Sequence, residues 1–256
     1  MRENHVKKKL QAGEPSVGSW LAIPSPFSAE RVARMGFDWL VVDMEHNPIN
    51  IETAATMFAA INQTDTAPMV RIPWNHPEHV KRVLDAGAWG IVVPMVCSRQ
   101  EAEDVVAAAK FPPAGIRSNG GGRYDIALDT DRDTYNERAN DDLLVIVQIE
   151  HIDAVERAEE ILSVPGVDGC FIGPLDLMTS MGMIGRFNIE APEVKEAIAE
   201  VVRASKKCGV AAGIHVQTGK DVLRRIDEGF QFIALASDMN LMVAGIKQEK
   251  GIVDNR

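Results

Sequence analysis

The sequence predicts a single (β/α)8 barrel of the α/β class, and three observations carry that prediction. Eight apolar runs alternate with eight segments of helical spacing, turn glycines close several of those segments, and no shift of composition divides the chain. The strand-like runs are Val17–Ala22, Phe37–Asp43, Ala67–Ile72, Gly90–Met95, Leu143–Ile149, Val167–Ile172, Val210–Val216 and Phe230–Ala236. Between and after them, Ser28–Met35, Ile51–Asn62, Pro77–Ala86, Arg99–Ala109, Asp153–Leu162, Glu193–Lys207, Lys220–Glu228 and Asp238–Lys247 space Ala, Val, Leu and Ile helically, with charges opposite. Strict alternation repeated eight times is the pattern of a closed parallel barrel, with a doubly wound open sheet as the other architecture it allows. Gly36, Gly87, Gly209 and Gly229 fall just before the next strand, where a left-handed helix cap belongs. One domain spanning 1–256 is expected, with 1–14 as an amino-terminal arm and 238–256 as a carboxy-terminal helix and tail. The irregular stretch Phe111–Asp142, rich in Gly, Asn, Arg and Asp, reads as a lid over the active face.

Composition narrows the function. A 46 % hydrophobic content over 256 residues supplies a core without staples. The chain has 27 basic against 37 acidic residues, a net charge of −10, and no basic cluster beyond Lys7-Lys8-Lys9, which argues against nucleic-acid or anionic-membrane binding. Cys97, Cys170 and Cys208 fit no zinc spacing and read as reduced thiols. The first residues lack the apolar core of a signal peptide and no run is apolar enough to span a bilayer, so a cytoplasmic protein acting on small molecules is expected.

In a barrel the chemistry sits at the carboxyl ends of the strands, and polar residues collect there. Glu150 and Asp176 each close an apolar run, and adjacent parallel strands lie about 4.8 Å apart, so the two carboxylates could share one hard divalent cation that keeps open positions for substrate. Singly, Glu150 could instead cap a helix and Asp176 form an Asx turn. Arg71 closes another apolar strand, where a guanidinium needs an anion: Asp43, Glu45 or a substrate oxygen. Asp43 and His46 are spaced so that the carboxylate could orient the imidazole as a general base. His5, His76, His79 and His151 read as ordinary loop or helix-start histidines, and His215, in the seventh strand, as a satisfied core histidine. Gly120-Gly121-Gly122-Arg123 lacks the context of a phosphate loop. No strand end carries a lysine, which argues against Schiff-base chemistry.

At these residues the chain resembles the HpcH/HpaI aldolase family. The matching text is Gly36-Phe37-Asp38-Trp39 through Asp43-Met44-Glu45-His46, Val70-Arg71, Val93-Pro94-Met95-Val96, Pro112-Pro113-Ala114-Gly115-Ile116-Arg117, Gln148-Ile149-Glu150, and Val164-Pro165-Gly166-Val167-Asp168-Gly169 through Gly173-Pro174-Leu175-Asp176-Leu177. The resemblance implies a metal-dependent aldolase that reversibly cleaves a 4-hydroxy-2-oxo acid to pyruvate and an aldehyde through a metal-stabilised enolate. It implies Glu150 and Asp176 as ligands of Mg2+, Mn2+ or Co2+, with Gln148 close by. Arg71 would contact the 2-oxo group, and His46, oriented by Asp43, would be the acid–base group. The Gly173-Pro174-Leu175-Asp176 turn would hold the pyruvate carboxylate by main-chain N–H groups, and Trp20 would line the pocket. The resemblance further implies a homohexamer, a trimer of dimers, in which Asp85 is offered to a neighbour's pocket. The chain departs from the family pattern at Leu175, where a small residue is usual, and at His215, where aliphatic residues are common. Leu175 is expected to crowd the carboxylate pocket, and both positions bear on donor specificity. A citramalyl- or malyl-CoA-type lyase would need basic residues for nucleotide phosphates, and only Arg117 and Arg123 offer themselves. A non-catalytic 2-oxo acid binder would not need Asp43, His46, Arg71, Glu150 and Asp176 together.

Overall fold

The computed structural model describes residues 1–254; Asn255 and Arg256, placed by the sequence in the terminal tail, lie outside the described residues. The eight apolar runs form β1 (Ser16–Leu21), β2 (Trp39–Asp43), β3 (Ala67–Arg71), β4 (Gly90–Val93), β5 (Leu144–Gln148), β6 (Gly169–Ile172), β7 (Ala211–Val216) and β8 (Phe232–Ser237). Each pairs in parallel with the next and β1 closes on β8, so the closed barrel replaces the open-sheet alternative. The parallel direction puts Asp43, Arg71, Gln148, Val216 and Ser237 at one mouth of the barrel. The β1–β8 register shifts between Gly18 and Trp20, at the same mouth.

Aromatic rings fill the barrel below that mouth. Trp39 of β2 stacks on Phe232 of β8 with centroids 3.9 Å apart, and Phe171 of β6 meets Phe232 edge-on at 6.0 Å. Such volume fits because the neighbouring strand gives way: Gly18 of β1 lies in register with Trp39, and a Cβ there would fall 2.1 Å from the Trp39 indole. Surrounding helices start where side-chain caps satisfy their free amides, at Ser25, Asn50, Ser98 and Thr218. The helix Pro192–Cys208 stops at Gly209, whose φ of +69° gives the left-handed cap the sequence predicts. The expected helix Asp153–Leu162 is two, Ile152–Glu156 and Ala158–Leu162, broken where Arg157 leaves helical geometry.

Three expectations are corrected at the other end of the barrel and at the chain's tail. The amino-terminal arm contains a docked helix, His5–Gln11, with Val6 wholly buried. Asn4 Nδ2 donates to the carbonyls of Trp89 and Asp142, and Lys7 Nζ donates to Leu143 O and lies 3.0 Å from Asp168. These partners immediately precede β4, β5 and β6, so the helix plugs the amino-end mouth. Phe111–Asp142 is not a lid. It connects the helix Arg99–Ala109 to β5, and a helix-to-strand connection in a barrel lies at the amino ends, opposite the active face. There it folds back on itself: Asn140 brackets Phe111, Tyr124 stacks on Tyr135 at 3.9 Å, and the amides of Arg2 and Arg123 bond to Leu128 and Asp85 carbonyls. The last helix runs beyond Lys247, over Asp238–Asp254, and buries only Asp238, which accepts hydrogen bonds from Ala22 N and Ser28 Oγ. No helix among the described residues is long and apolar enough to cross a membrane.

Candidate active site

The carboxyl-end mouth opens into a cleft of about 670 Å3 lined by Trp20, Asp43, His46, Arg71, Gln148, Glu150, the Gly173–Asp176 turn and His215. All the site residues expected within one subunit therefore meet in one cavity. Asp85 does not: it lies at the far end of the helix Pro77–Asp85, where its carboxylate is 2.7 Å from Arg117 Nη2. Arg117, one of the two basic residues a CoA ligand would need, is thereby buried against Asp85, Tyr135 and Phe111.

Arg71, 9 % exposed, is clamped by two acids. Its Nε donates to Asp43 Oδ1 at 2.8 Å and its Nη2 to Oδ2 at 2.7 Å, while Nη1 lies 2.8 Å from Glu45 Oε2. Burial works against its charge, but the bond to Asp43 and the charges of Asp43, Glu45 and Glu150 hold the guanidinium above its ordinary pKa. Asp43 takes two of the five N–H groups in hydrogen bonds and Nη1 meets Glu45 as an ion pair, which leaves N–H groups for a ligand. The guanidinium also lies over the Trp20 ring, 4.4 Å from its centroid.

This clamp corrects the expected Asp43–His46 pair. Both Asp43 oxygens are taken by Arg71, and they also accept from Asn47 Nδ2 at 2.5 Å and the Glu45 amide at 3.2 Å. The three-residue spacing does not bring the imidazole back to Asp43; His46 Nε2 instead lies 3.6 Å from Glu45 Oε2, with its side chain 62 % exposed at the rim. Burial pushes the Glu45 carboxyl above its usual range. Glu45 thus links the guanidinium to the imidazole.

Glu150 does not cap a helix; His151 does that for Ile152–Glu156. Its carboxylate is 2 % exposed and accepts from Met95 N at 2.9 Å and Gln148 Nε2 at 2.7 Å. The Met95 amide is aimed by a left-handed backbone, φ +52°, unusual for a residue with a side chain. Burial, with the Asp176 and Glu45 charges adding to it, pushes the Glu150 carboxyl up to about 8. Asp176 sits in the first turn of the short helix Pro174–Ser180, which has no capping side chain.

A hard divalent cation fits these residues. A Cβ at Gly173 would fall 2.3 Å from Glu150 Oε2, so only glycine leaves the carboxylate its place beside the Asp176 turn. Gln148 Oε1 is buried without a hydrogen-bond partner. Two carboxylates and an amide oxygen are oxygen donors of the kind Mg2+ or Mn2+ takes. No cluster of three or more His, Cys, Asp or Glu at metal spacing occurs among the described residues, so substrate and water would complete the shell. Leu175 is 60 % exposed and lines the cleft beside Asp176.

Comparison with known proteins identifies the family. Residues 16–244 match the HpcH/HpaI aldolase/citrate lyase family. The chain belongs to that family. It is 40 % identical over 240 residues to the 4-hydroxy-2-oxo-heptane-1,7-dioate aldolase of Shigella sonnei, covering 94 % of this chain and 91 % of that one. An HpcH/HpaI aldolase/citrate lyase family protein from Burkholderia cenocepacia superposes with a TM-score of 0.91 at 35 % identity, covering 98 % and 99 % of the two chains. The HpcH/HpaI aldolase of Desulfitobacterium hafniense does so with a TM-score of 0.87 at 32 % identity, covering 96 % and 95 %. The family is one of metal-dependent aldolases and lyases, enzymes that cleave carbon–carbon bonds.

Three contributors were not assigned a role from the sequence. The Met95 amide is main chain, and Gln217, a wall residue of the cleft, follows the seventh strand with no motif around it. Glu45 was visible as a strand-end acid, but its link between Arg71 and His46 is a matter of chain direction after β2.

Proposed function

We propose that this chain is a divalent-metal-dependent aldolase that reversibly cleaves a 4-hydroxy-2-oxo acid, of the kind named for its 40 %-identical relatives, to pyruvate and an aldehyde. The observation that carries this reading is the Arg71 clamp: an ionised guanidinium with spare N–H groups, fixed by Asp43 and Glu45 in the cleft that also holds Glu150 and Asp176.

A cation held by Glu150 and Asp176, with Gln148 beside them, would act as a Lewis acid on the 2-oxo acid. Glu150 stays in place through Met95 N and Gln148 Nε2. Arg71 directs its spare N–H groups at the 2-oxo oxygen and strengthens its hold as that oxygen gains negative charge. The Leu175 and Asp176 amides, first-turn donors without a capping side chain, bind the substrate carboxylate. His46, at the rim beside Glu45, takes the C4-hydroxyl proton during cleavage and returns it during synthesis. Trp20 and Phe171, their centroids 5.4 Å apart, close the wall against water. In a homo-oligomer, Asp85 of another copy would have to reach this mouth, since within one chain it is held by Arg117.

The test is cleavage of 4-hydroxy-2-oxoheptanedioate followed by coupled detection of pyruvate. Cleavage that requires added Mg2+, Mn2+ or Co2+ and stops with chelator supports the proposal. Cleavage that persists after metal removal, or no cleavage with any of the three, refutes it.

A further inference from the structure

We propose that His215 makes this enzyme select a 2-oxo acid donor with a hydroxyl group on C3 over one with a methyl group there. The inference rests on the aldolase reading above and concerns which donor that site prefers.

His215 lies in β7 and lines the cleft. Its Nε2 is 3.2 Å from the Ala236 carbonyl, which can only accept, so Nε2 carries the proton and Nδ1 presents a lone pair. Among the described residues, Nδ1 meets only the Gln217 amide, at a long 3.3 Å, and Gln217 is an exposed residue of the cleft wall. Burial, helped by the Arg71 charge, lowers the imidazole to about pKa 4, so it remains a neutral acceptor at pH 7.

The ring also shares with Arg71 the Trp20 wall of the cleft, within reach of a donor that Arg71 holds. Both side chains pack against Trp20: the Arg71 guanidinium is 4.4 Å from its centroid, and the His215 ring meets it edge-on at 6.2 Å. Guanidinium, indole and imidazole thus form one continuous wall. A donor whose 2-oxo oxygen is held by Arg71 carries its C3 substituent along that wall. There a hydroxyl donates to Nδ1 in place of the long Gln217 contact, whereas a methyl of similar size cannot donate and leaves Nδ1 with that contact alone. An aliphatic side chain at this position would reverse the preference.

The test is exchange of C3 protons with D2O in the presence of Mn2+, followed by proton NMR, for pyruvate, hydroxypyruvate and 2-oxobutanoate. No aldehyde takes part, so the donor is read alone. In the wild type, kcat/KM for hydroxypyruvate should exceed that for 2-oxobutanoate by about 10-fold or more, and His215→Leu should bring the ratio to unity or below. A merely structural role for His215 would lower all three donors together and leave the ratio unchanged. A wild-type ratio near unity, or one retained in His215→Leu, overturns the proposal while pyruvate exchange still upholds the aldolase. Exchange of none of the three overturns both. Independently of any variant, the Nδ1 resonance of 15N-histidine-labelled wild type should move on adding hydroxypyruvate and stay still with 2-oxobutanoate; equal responses contradict the inference.

Discussion

The two mouths of the barrel each bury a charge pair, and they treat it in opposite ways. At the amino ends, Lys7 and Asp168 satisfy one another, and each finds a main-chain partner besides: Lys7 the Leu143 carbonyl, Asp168 the Val145 amide. At the carboxyl ends, Glu150 is held beside Asp176 and Glu45 with its pKa driven up, Gln148 Oε1 has no partner, and Arg71 keeps N–H groups in reserve. Pairing is complete at the amino ends, whereas at the carboxyl ends Arg71 is paired with Asp43 and Glu45 while Glu150 has no cation partner. Complete pairing holds the plug helix; the uncompensated carboxylates and the spare N–H groups of Arg71 leave capacity for a cation and an anionic substrate.

Breaking the unsatisfied mouth should cost activity and little stability. Glu150→Gln removes a repelled carboxylate, so its melting temperature should equal or exceed the wild type's, while kcat for cleavage falls by about 10^3-fold or more. Calorimetry beside a pyruvate assay checks both halves. Arg71→Lys keeps a charge but loses the fork that grips Asp43, and kcat/KM should fall about 10^2-fold. A loss under tenfold would mean that a point charge suffices there.

Breaking the satisfied mouth should do the reverse. Lys7→Met strands Asp168 in the interior and should lower unfolding free energy by about 3 kcal/mol in a denaturant titration, with kcat/KM unchanged. A smaller effect sharpens the comparison through pH. The Glu150 pKa is raised on folding, so the folded state holds that proton more tightly than the unfolded chain does. Its contribution to stability is therefore complete below about pH 4.5 and lost as pH rises towards about 8. Metal-free protein should melt lower at pH 8 than at pH 5.5 by more than Glu150→Gln does, and Mn2+ should restore the difference at pH 8.

The sequence revealed the barrel because its strands are uninterrupted apolar runs and its helices carry helical spacing; all eight strands lie within two residues of their expected ends. It revealed the two carboxylates and Arg71 because an ionisable group at the end of an apolar strand is conspicuous. It misled where a side chain's partner depends on chain direction. Asp43 grips Arg71, opposite it in the β2–β3 register, and in its own loop it meets Glu45 N and Asn47 rather than His46. It misled also over Phe111–Asp142, where composition marks an irregular segment but only its place after a helix says which mouth it serves.

The central claim, that the carboxyl-end mouth generates and holds an enolate of a 2-oxo acid with the help of a cation on Glu150 and Asp176, meets its most direct test in pyruvate methyl-proton exchange with D2O. Exchange should proceed with Mn2+, stop with chelator, and be absent from Glu150→Gln at any Mn2+ concentration. Exchange that survives chelation and the Glu150→Gln substitution would contradict the claim.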